Sequence, residues 1–366
     1  MTAIWRSLPF PKYLLPIAPL ALVLHFIQVG GVLSHFLLAA LGILGLVVVI
    51  GAATEEVALR TGPVWGGLLN ATFGNVTELI IALIALKHGS YEVLRASLTG
   101  SILGNLLLLL GLAMVAGGIK NKSQKFNRTG AAASVQMLAL ALFALVIPSV
   151  TLHFHGVMEL PPEAVGPVVE KLSLGIAIIL LIVYVLHLLF SLWTHSFTYR
   201  SAEAAHHEEP KWSLRAAVLL LVVAVVLVAL CAEAFVASLD HMIKDGSMPL
   251  SEVFLGVVVV AVIGNAAEGS VAIVAAAKNK MELAFQVAMS SAIQIALLVA
   301  PILVIASFIF VADPLTLAFS PLELLALWGA VLIAAFTLQD GESNWFEGTM
   351  LLAVYAAFAL AFWFHP

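Results

Sequence analysis

"GNVTELIIALIALKHG", residues 74–89, places a carboxylate in an apolar run: Glu78 has no basic residue within eight positions on either side. "GNAAEGSVAIVAAAKNK", residues 264–280, does the same with Glu268, again behind Gly-Asn. The rest of the chain is equally apolar. Of its 366 residues, 62% are hydrophobic and 10% charged, where soluble domains carry about 25% charged residues. The composition implies an integral membrane protein with most of its length in lipid. Lipid admits helices or closed barrels, and these apolar runs are long and do not alternate, which predicts an all-α protein.

Runs of about twenty apolar residues mark spans. Eleven are predicted, near 13–29, 34–59, 64–87, 92–117, 129–151, 172–195, 213–238, 250–277, 282–311, 320–338 and 344–364. Arg6 and Lys12 precede the first, but "LHFIQVGGVLSHF" (24–36) offers no small-residue cleavage site, so this run reads as a retained helix. A cytoplasmic N-terminus puts Arg6, Lys12, Arg60, Lys120, Lys122, Lys125, Arg128, Arg200, Lys211, Arg215, Lys278 and Lys280 inside, and only Lys87, Arg95, Lys171 and Lys244 outside. That asymmetry sets the orientation and leaves the C-terminus external. A prokaryotic plasma (inner) membrane is the expected location. The net charge of −5 carries no nucleic-acid signal, and the single Cys231 excludes a disulfide framework or a multi-thiolate metal site. "YRSAEAAHHEEPKW" reads as a solvated cytoplasmic linker, with His206, His207, Glu208 and Glu209 able to gather cations or regulate. "HFHGVMELPPEAVGPVVEK" reads as an external loop.

Shifted by 190 residues, the chain meets itself without a gap. Gly74, Asn75, Glu78, Glu92 and Ser101 fall on Gly264, Asn265, Glu268, Glu282 and Ser291, along with several apolar matches. The copies lie five spans apart, and an odd number reverses direction. The organisation expected is an N-terminal helix (1–33), a five-helix repeat (34–195), an acidic and His-containing linker (196–212) and an inverted five-helix repeat (213–366). Secondary transporters are commonly built this way, with the ion site at midplane between the repeats.

An ionised, unpaired Glu at that depth costs at least roughly 2.5–3.5 kcal/mol. With no Lys or Arg in either span core, only a cation or a proton can neutralise it. Burial favours the protonated form, and a bound divalent ion displaces the proton. The neighbouring donors are oxygens: Asn75 and Asn265, which share a helix face with the glutamates, and Ser101, Ser291, Asn105 and Gln294. Gly74 and Gly264 can loosen their helices and free backbone carbonyls. An all-oxygen set suits a hard cation with six to eight ligands, calcium first, over zinc or copper. Two glutamates balance one Ca²⁺ or two protons. The blander alternatives are a buried Glu bonded only to a neighbouring helix, serines that merely allow close packing, and an Asn105 that bridges helices. Glu55, Glu56 and Glu233 read as lying near the inner ends of the second and seventh spans, either reaching for water or forming a cytoplasmic entrance or gate.

The stretches "ATEEVALRTGPVWGGLLNATFGNVTELIIALIALKHG" (53–89), "LTGSILGNLLLLLGLAM" (98–114) and "GNAAEGSVAIVAAAKNKMELAFQVAMSSAIQIALLVAP" (264–301) resemble the calcium/proton exchanger branch of the cation/calcium antiporter superfamily. The resemblance implies Glu78 and Glu268 as shared calcium and proton carriers, with the second and seventh helices sliding to open either side. It implies transported Ca²⁺ and H⁺ with no cofactor, and a lipid bilayer as the surrounding partner. Gly269 stands where similar exchangers carry His, so no imidazole tunes Glu268. Exchange of Ca²⁺ for Na⁺, or of another cation such as Mn²⁺, on the same fold is the alternative. An intramembrane enzyme lacks a catalytic partner motif, and a channel has no need of an inverted pair. A homo-oligomer is left open. The topology has a direct test: a reporter at Pro366 should read as external and one at 200–210 as cytoplasmic, and the two on the same side would remove the inverted relation.

Overall fold

The computed structural model describes residues 4–5, 8, 11–154, 161–194, 210–245 and 251–364. Its helices are α1 (Ile17–Phe26), α2 (Val32–Thr61), α3 (Trp65–Lys87), α4 (Tyr91–Gly118), α5 (Arg128–His153), α6 (Pro162–Thr194), α7 (Leu214–Lys244), α8 (Glu252–Ala266 continued by Glu268–Ala277), α9 (Met281–Phe310), α10 (Pro321–Thr337) and α11 (Trp345–Trp363). Among the described residues, eight are long and apolar enough to cross a membrane, and α8 makes a ninth as a pair of segments bent by 65°. At about 1.5 Å per residue, the 17 residues of α10 fall just short of a full span. Helix α2 reverses directly into α3: a Cβ at Gly66 would lie 2.9 Å from the Ala58 carbonyl oxygen, a contact no straight helix makes.

One sequence expectation moves. The helical part of α6 begins at Pro162, so most of the expected external loop is the first turns of a helix. Pro162 occupies the first helical position, where its missing N–H and fixed φ are harmless. The prolines and charges that read as loop signals mark a helix start. The His and Glu residues of the expected linker, 206–209, lie outside the described residues.

Hydrogen bonds sort the connections onto two faces. The α4–α5 connection carries β1 (Gln124–Lys125), which pairs antiparallel with β2 (Glu342–Ser343) between α10 and α11. The Gln124 amide also donates to the Ala276 carbonyl (2.9 Å) and the Asn279 side chain (3.0 Å) at the α8–α9 turn. Glu342, half-buried, is held below its ordinary value by the Ser123 hydroxyl and then by Lys125. On the same face Glu56, in the last turns of α2, accepts from the backbone of Lys211 (2.9 Å) and Trp212 (3.0 Å). Arg60 bonds back to Glu56 and onward to the Trp212 carbonyl. This face holds Lys120, Lys122, Lys278 and Lys280 and is called the basic face below.

The opposite face closes differently. The α9–α10 connection buries Leu315, Leu317 and Phe319, so its backbone needs partners. Ser307, Ser173 and Ser149 accept from Leu315 N (2.8 Å), Leu317 N (2.9 Å) and Phe319 N (2.9 Å). Three hydroxyls from three helices thus replace the water that a buried loop cannot reach.

Helix α4 is the centre of the molecule: 83% of its most apolar stretch is buried, against 28% for α6 and α7 and 17% for α11. It crosses α8 almost backbone to backbone. A Cβ at Gly100 would sit 2.1 Å from the Val257 carbonyl, and one at Gly256 2.5 Å from the Ala96 Cβ. Between helices in lipid, close approach of this kind replaces the hydrophobic effect as the source of association. Gly100→Ala should therefore destabilise by about 1–3 kcal/mol through overpacking, while Gly175→Ala, with nothing within 4 Å of the new Cβ, should be neutral or better. Thermal unfolding in detergent checks both, and equal midpoints would deny the crossing.

Candidate functional site

Helix α3 breaks at Gly74–Asn75 and restarts as the half-helix Val76–Lys87, with Glu78 in its first turn. Helix α8 bends between Ala266 and Glu268, so Glu268 opens its second segment. Glu78 thus stands at a helix start, where unsatisfied N–H groups favour negative charge, and Glu268 at the bend of an otherwise continuous helix. The two interact electrostatically. Glu78 is buried, and Glu268 is partly exposed.

The two glycines act across the repeat. A Cβ at Gly264 would lie 3.1 Å from the Glu78 Cγ and Oε1, and one at Gly74 would lie 3.7 Å from the Glu268 Oε1. This corrects one expectation. Gly74 adjoins a helix break, but the α8 bend falls three residues beyond Gly264. Gly264 leaves room for the opposite carboxylate rather than unwinding its own helix.

The neutral candidates form one connected set. The Asn105 amide donates to Asn265 Oδ1 (3.0 Å) and Ser291 Oγ (2.9 Å). Ser291 donates to Asn75 Oδ1 (3.1 Å), and the Asn75 amide donates to Gln294 Oε1. The Asn265 amide is spent on the Ala261 carbonyl (3.0 Å). Ser291 also acts on Glu268 as a hydrogen-bond partner. Ser101 lines a pocket with Glu78, Gly264, Ile81, Leu98 and Ile295. What the network leaves buried and unsatisfied is all acceptor. Both oxygens of Glu78, Oε2 of Glu268 and Oδ1 of Asn105 are buried without a hydrogen-bond partner. Buried polar atoms are rarely left so, and acceptor oxygens left over while the Asn75, Asn105 and Asn265 amides are engaged suit a hard cation or protons.

Asn105 and Gln294 have no counterpart under the 190-residue shift, which pairs them with Ile295 and Gly104. Asn105 lies within the π-helical stretch Gly104–Leu109 of α4, and Gln294 immediately precedes Ile295–Val299 in α9. Such stretches change which residues face inward and recur at functional sites. Nothing in the periodicity of the sequence signals them. Gln294 acts through Asn75, whose amide it holds.

The remaining candidates separate. Glu56 is buried and bonded as described above, so it neither reaches for water nor forms an open entrance. Glu55 lies beside it in α2. Glu233 does not join them. Its carboxylate lies 3.0 Å from His88 Nε2 and 3.9 Å from Lys87 Nζ, at the α3–α4 turn on the face opposite Glu56. The inversion itself explains the correction: α2 runs towards the basic face and α7 away from it, so late positions in the two helices fall on opposite sides. Glu282 is also more tied than a helix-end residue need be, accepting from Asn127 N and from Gln286 (2.7 Å).

Spans of opposite direction crossing at a pair of uncompensated carboxylates define a membrane cation exchanger. The chain belongs to the sodium/calcium exchanger protein family, whose model matches residues 32–193 and 216–364. It is 42% identical over 371 residues to a Ca(2+)/H(+) antiporter of Aphanothece halophytica, covering 96% of each chain. It is 43% identical over 325 residues to the Ca(2+)/H(+) antiporter ChaA of Bacillus subtilis, covering 87% of this chain and 89% of that one. The solved structure of native YfkE superposes with a TM-score of 0.79 at 36% identity, covering 96% of this chain and all of the other.

Glu268→Gln and Glu78→Gln keep side-chain size and one oxygen but remove a charge. Each should express and remain as stable as the parent or better. Calcium binding should fall more than about 100-fold, since even an outer-shell partner of a metal is worth 10–100-fold. Glu92→Gln, at an exposed position, should bind calcium as the parent does. Near-parent binding by Glu268→Gln, measured by titration calorimetry, would make that carboxylate structural.

Proposed function

We propose that the protein exchanges Ca²⁺ for H⁺ across a membrane by alternating access, with Glu78 and Glu268 carrying either one calcium ion or two protons. The observation that carries this reading is the set of unpartnered acceptor oxygens on Glu78, Glu268 and Asn105. Two carboxylates and one Ca²⁺ cancel, as do two carboxylates and two protons, so the loaded site crosses the apolar interior without net charge in either form. Ser101 and Ser291 add hydroxyl oxygens, and Asn75, Asn265 and Gln294 hold the set in register.

Helices α2 and α7 pack along one another, with Phe36 stacked on Phe235 at a centroid distance of 4.8 Å. The Glu56–Arg60–Trp212 bonds fasten α2 to the chain entering α7. The pair therefore moves as one body against α3, α4, α8 and α9, and its displacement exposes the carboxylates to one face and then the other. The basic face is cytoplasmic under the positive-inside rule, the membrane is the plasma membrane of a prokaryote, and the protein is a transporter with no enzymatic step and no cofactor.

Because protons and calcium compete for the same oxygens, calcium affinity strengthens as pH rises. In proteoliposomes with an imposed pH gradient and no sodium, calcium should move against the proton flux. Uptake that needs sodium would assign Na⁺/Ca²⁺ exchange, and binding that is flat across the carboxylate range would remove the shared site.

A further inference from the structure

The half-helix Val76–Lys87 carries Glu78 in its first turn and ends at His88, its C-cap. His88 is held there by its backbone N–H bond to the Ile84 carbonyl (3.0 Å) and by the turn at Gly89, where φ is +74°. Its ring reaches across to α7, where Nε2 lies 3.0 Å from Glu233 Oε1. The ring is 24% exposed, and Glu233 is 41% exposed. Lys87 reaches the other carboxylate oxygen at 3.9 Å but is 74% exposed, so solvent screens it heavily.

Among the described residues, the ion pairs that tie α7 to another helix both end on Glu233. The other charged groups at this end of α7 pair locally, Lys244 with Asp240 (2.6 Å) and His241 with Asp245 (2.8 Å). Glu252 of α8 faces Glu92, Asp240 and Lys244. From α4, Tyr91 donates to the Asp313 carbonyl. Helices α1 and α2 contribute His25 and His35, which meet each other edge to face. Glu233 is thus the carboxylate that His88 meets.

We propose that His88 and Glu233 form a second proton site, outside the transport site, that latches α7 to the far end of the half-helix bearing Glu78. A proton on His88 converts a neutral hydrogen bond into a charge-assisted one, and the cation sits at a helix C-terminus, where it is favoured. Lowering the pH on this face tightens the latch and holds the α2–α7 pair in the arrangement described here. Removing the proton loosens it. The proton acts on the equilibrium between the two access states and is not itself carried. The proposal rests on the exchanger reading for the meaning of those states.

The test reads access rather than transport. Ser97 lines the pocket beside Glu78, on the half of α4 nearest His88, and the native Cys231 is fully buried. Labelling of Ser97→Cys by a membrane-impermeant maleimide should be slower at about pH 6 than at about pH 8, the range over which His titrates. The ratio should be about two- to fivefold, the worth of one partly exposed ion pair. His88→Ala and Glu233→Gln should label fast at both pH values, and the double variant no faster than either. His88→Arg, permanently charged, should label slowly at both. Opposite outcomes for Ala and Arg cannot come from misfolding. If both variants keep the parent's pH profile, or if the two single effects multiply in the double, the latch is absent. Failure of the exchanger reading appears separately, as a parent that moves no calcium under a pH gradient.

Discussion

A carboxylate in an apolar interior with no basic residue within reach must be neutralised by something mobile, and much of this structure serves that constraint at two positions. Glu78 starts a helical segment, so backbone N–H groups face its charge, and Glu268 sits at the bend of α8. Each lies against a glycine of the other half, so no side chain crowds it. The asparagine amides around them are spent on neighbouring oxygens, which leaves carboxylate oxygens without a permanent neutralising partner among the described residues. Had a single lysine reached this site, the charge would be settled and the site inert.

The surrounding packing divides the labour. Helices α4 and α8 cross so closely at Gly100 and Gly256 that the site rests on a nearly incompressible contact. The buried α9–α10 connection, with its three serine acceptors, closes one end, and Gln124 with the β1–β2 pair closes the other. Against this body lie α2 and α7, joined to each other at their basic-face ends through Glu56 and Arg60 and touching the rest by charge at Glu233. A stiff frame around the carboxylates and a coupled pair beside it is the division that alternating access demands, because the ligand oxygens must hold their geometry while the path to them changes.

Much of this was legible in the sequence. Polar residues are rare in the chain, so the recurrence of Gly-Asn-x-x-Glu at a fixed shift is informative where apolar matches are not. The eleven helices follow from hydropathy, although eight or nine of them are long enough to span, and the odd offset between the copies implies their inversion. What stayed hidden depends on relations across the repeats. That Gly264 makes room for Glu78 cannot be read from either copy alone. The π-helical stretches at Asn105 and beside Gln294 leave no mark on periodicity. The start of α6 was obscured because prolines signal both loops and first helical turns. Glu233 lies opposite Glu56 because α2 and α7 run in opposite directions, which a helix end taken alone does not show. The partner of Glu56 is the backbone of Lys211 and Trp212, which no side-chain pattern announces.

The crossed placement of glycine and carboxylate has an evolutionary consequence. A methyl gained at Gly264 would press on Glu78, in the other half of the chain, whereas one gained at Gly74 would reach Glu268 at ordinary contact distance, so only a larger side chain there would crowd it. The two halves therefore cannot drift apart freely at these positions, however much their lipid-facing surfaces diverge. Each half thus becomes custodian of the other's reactive group, and the constraint is strongest where the halves touch.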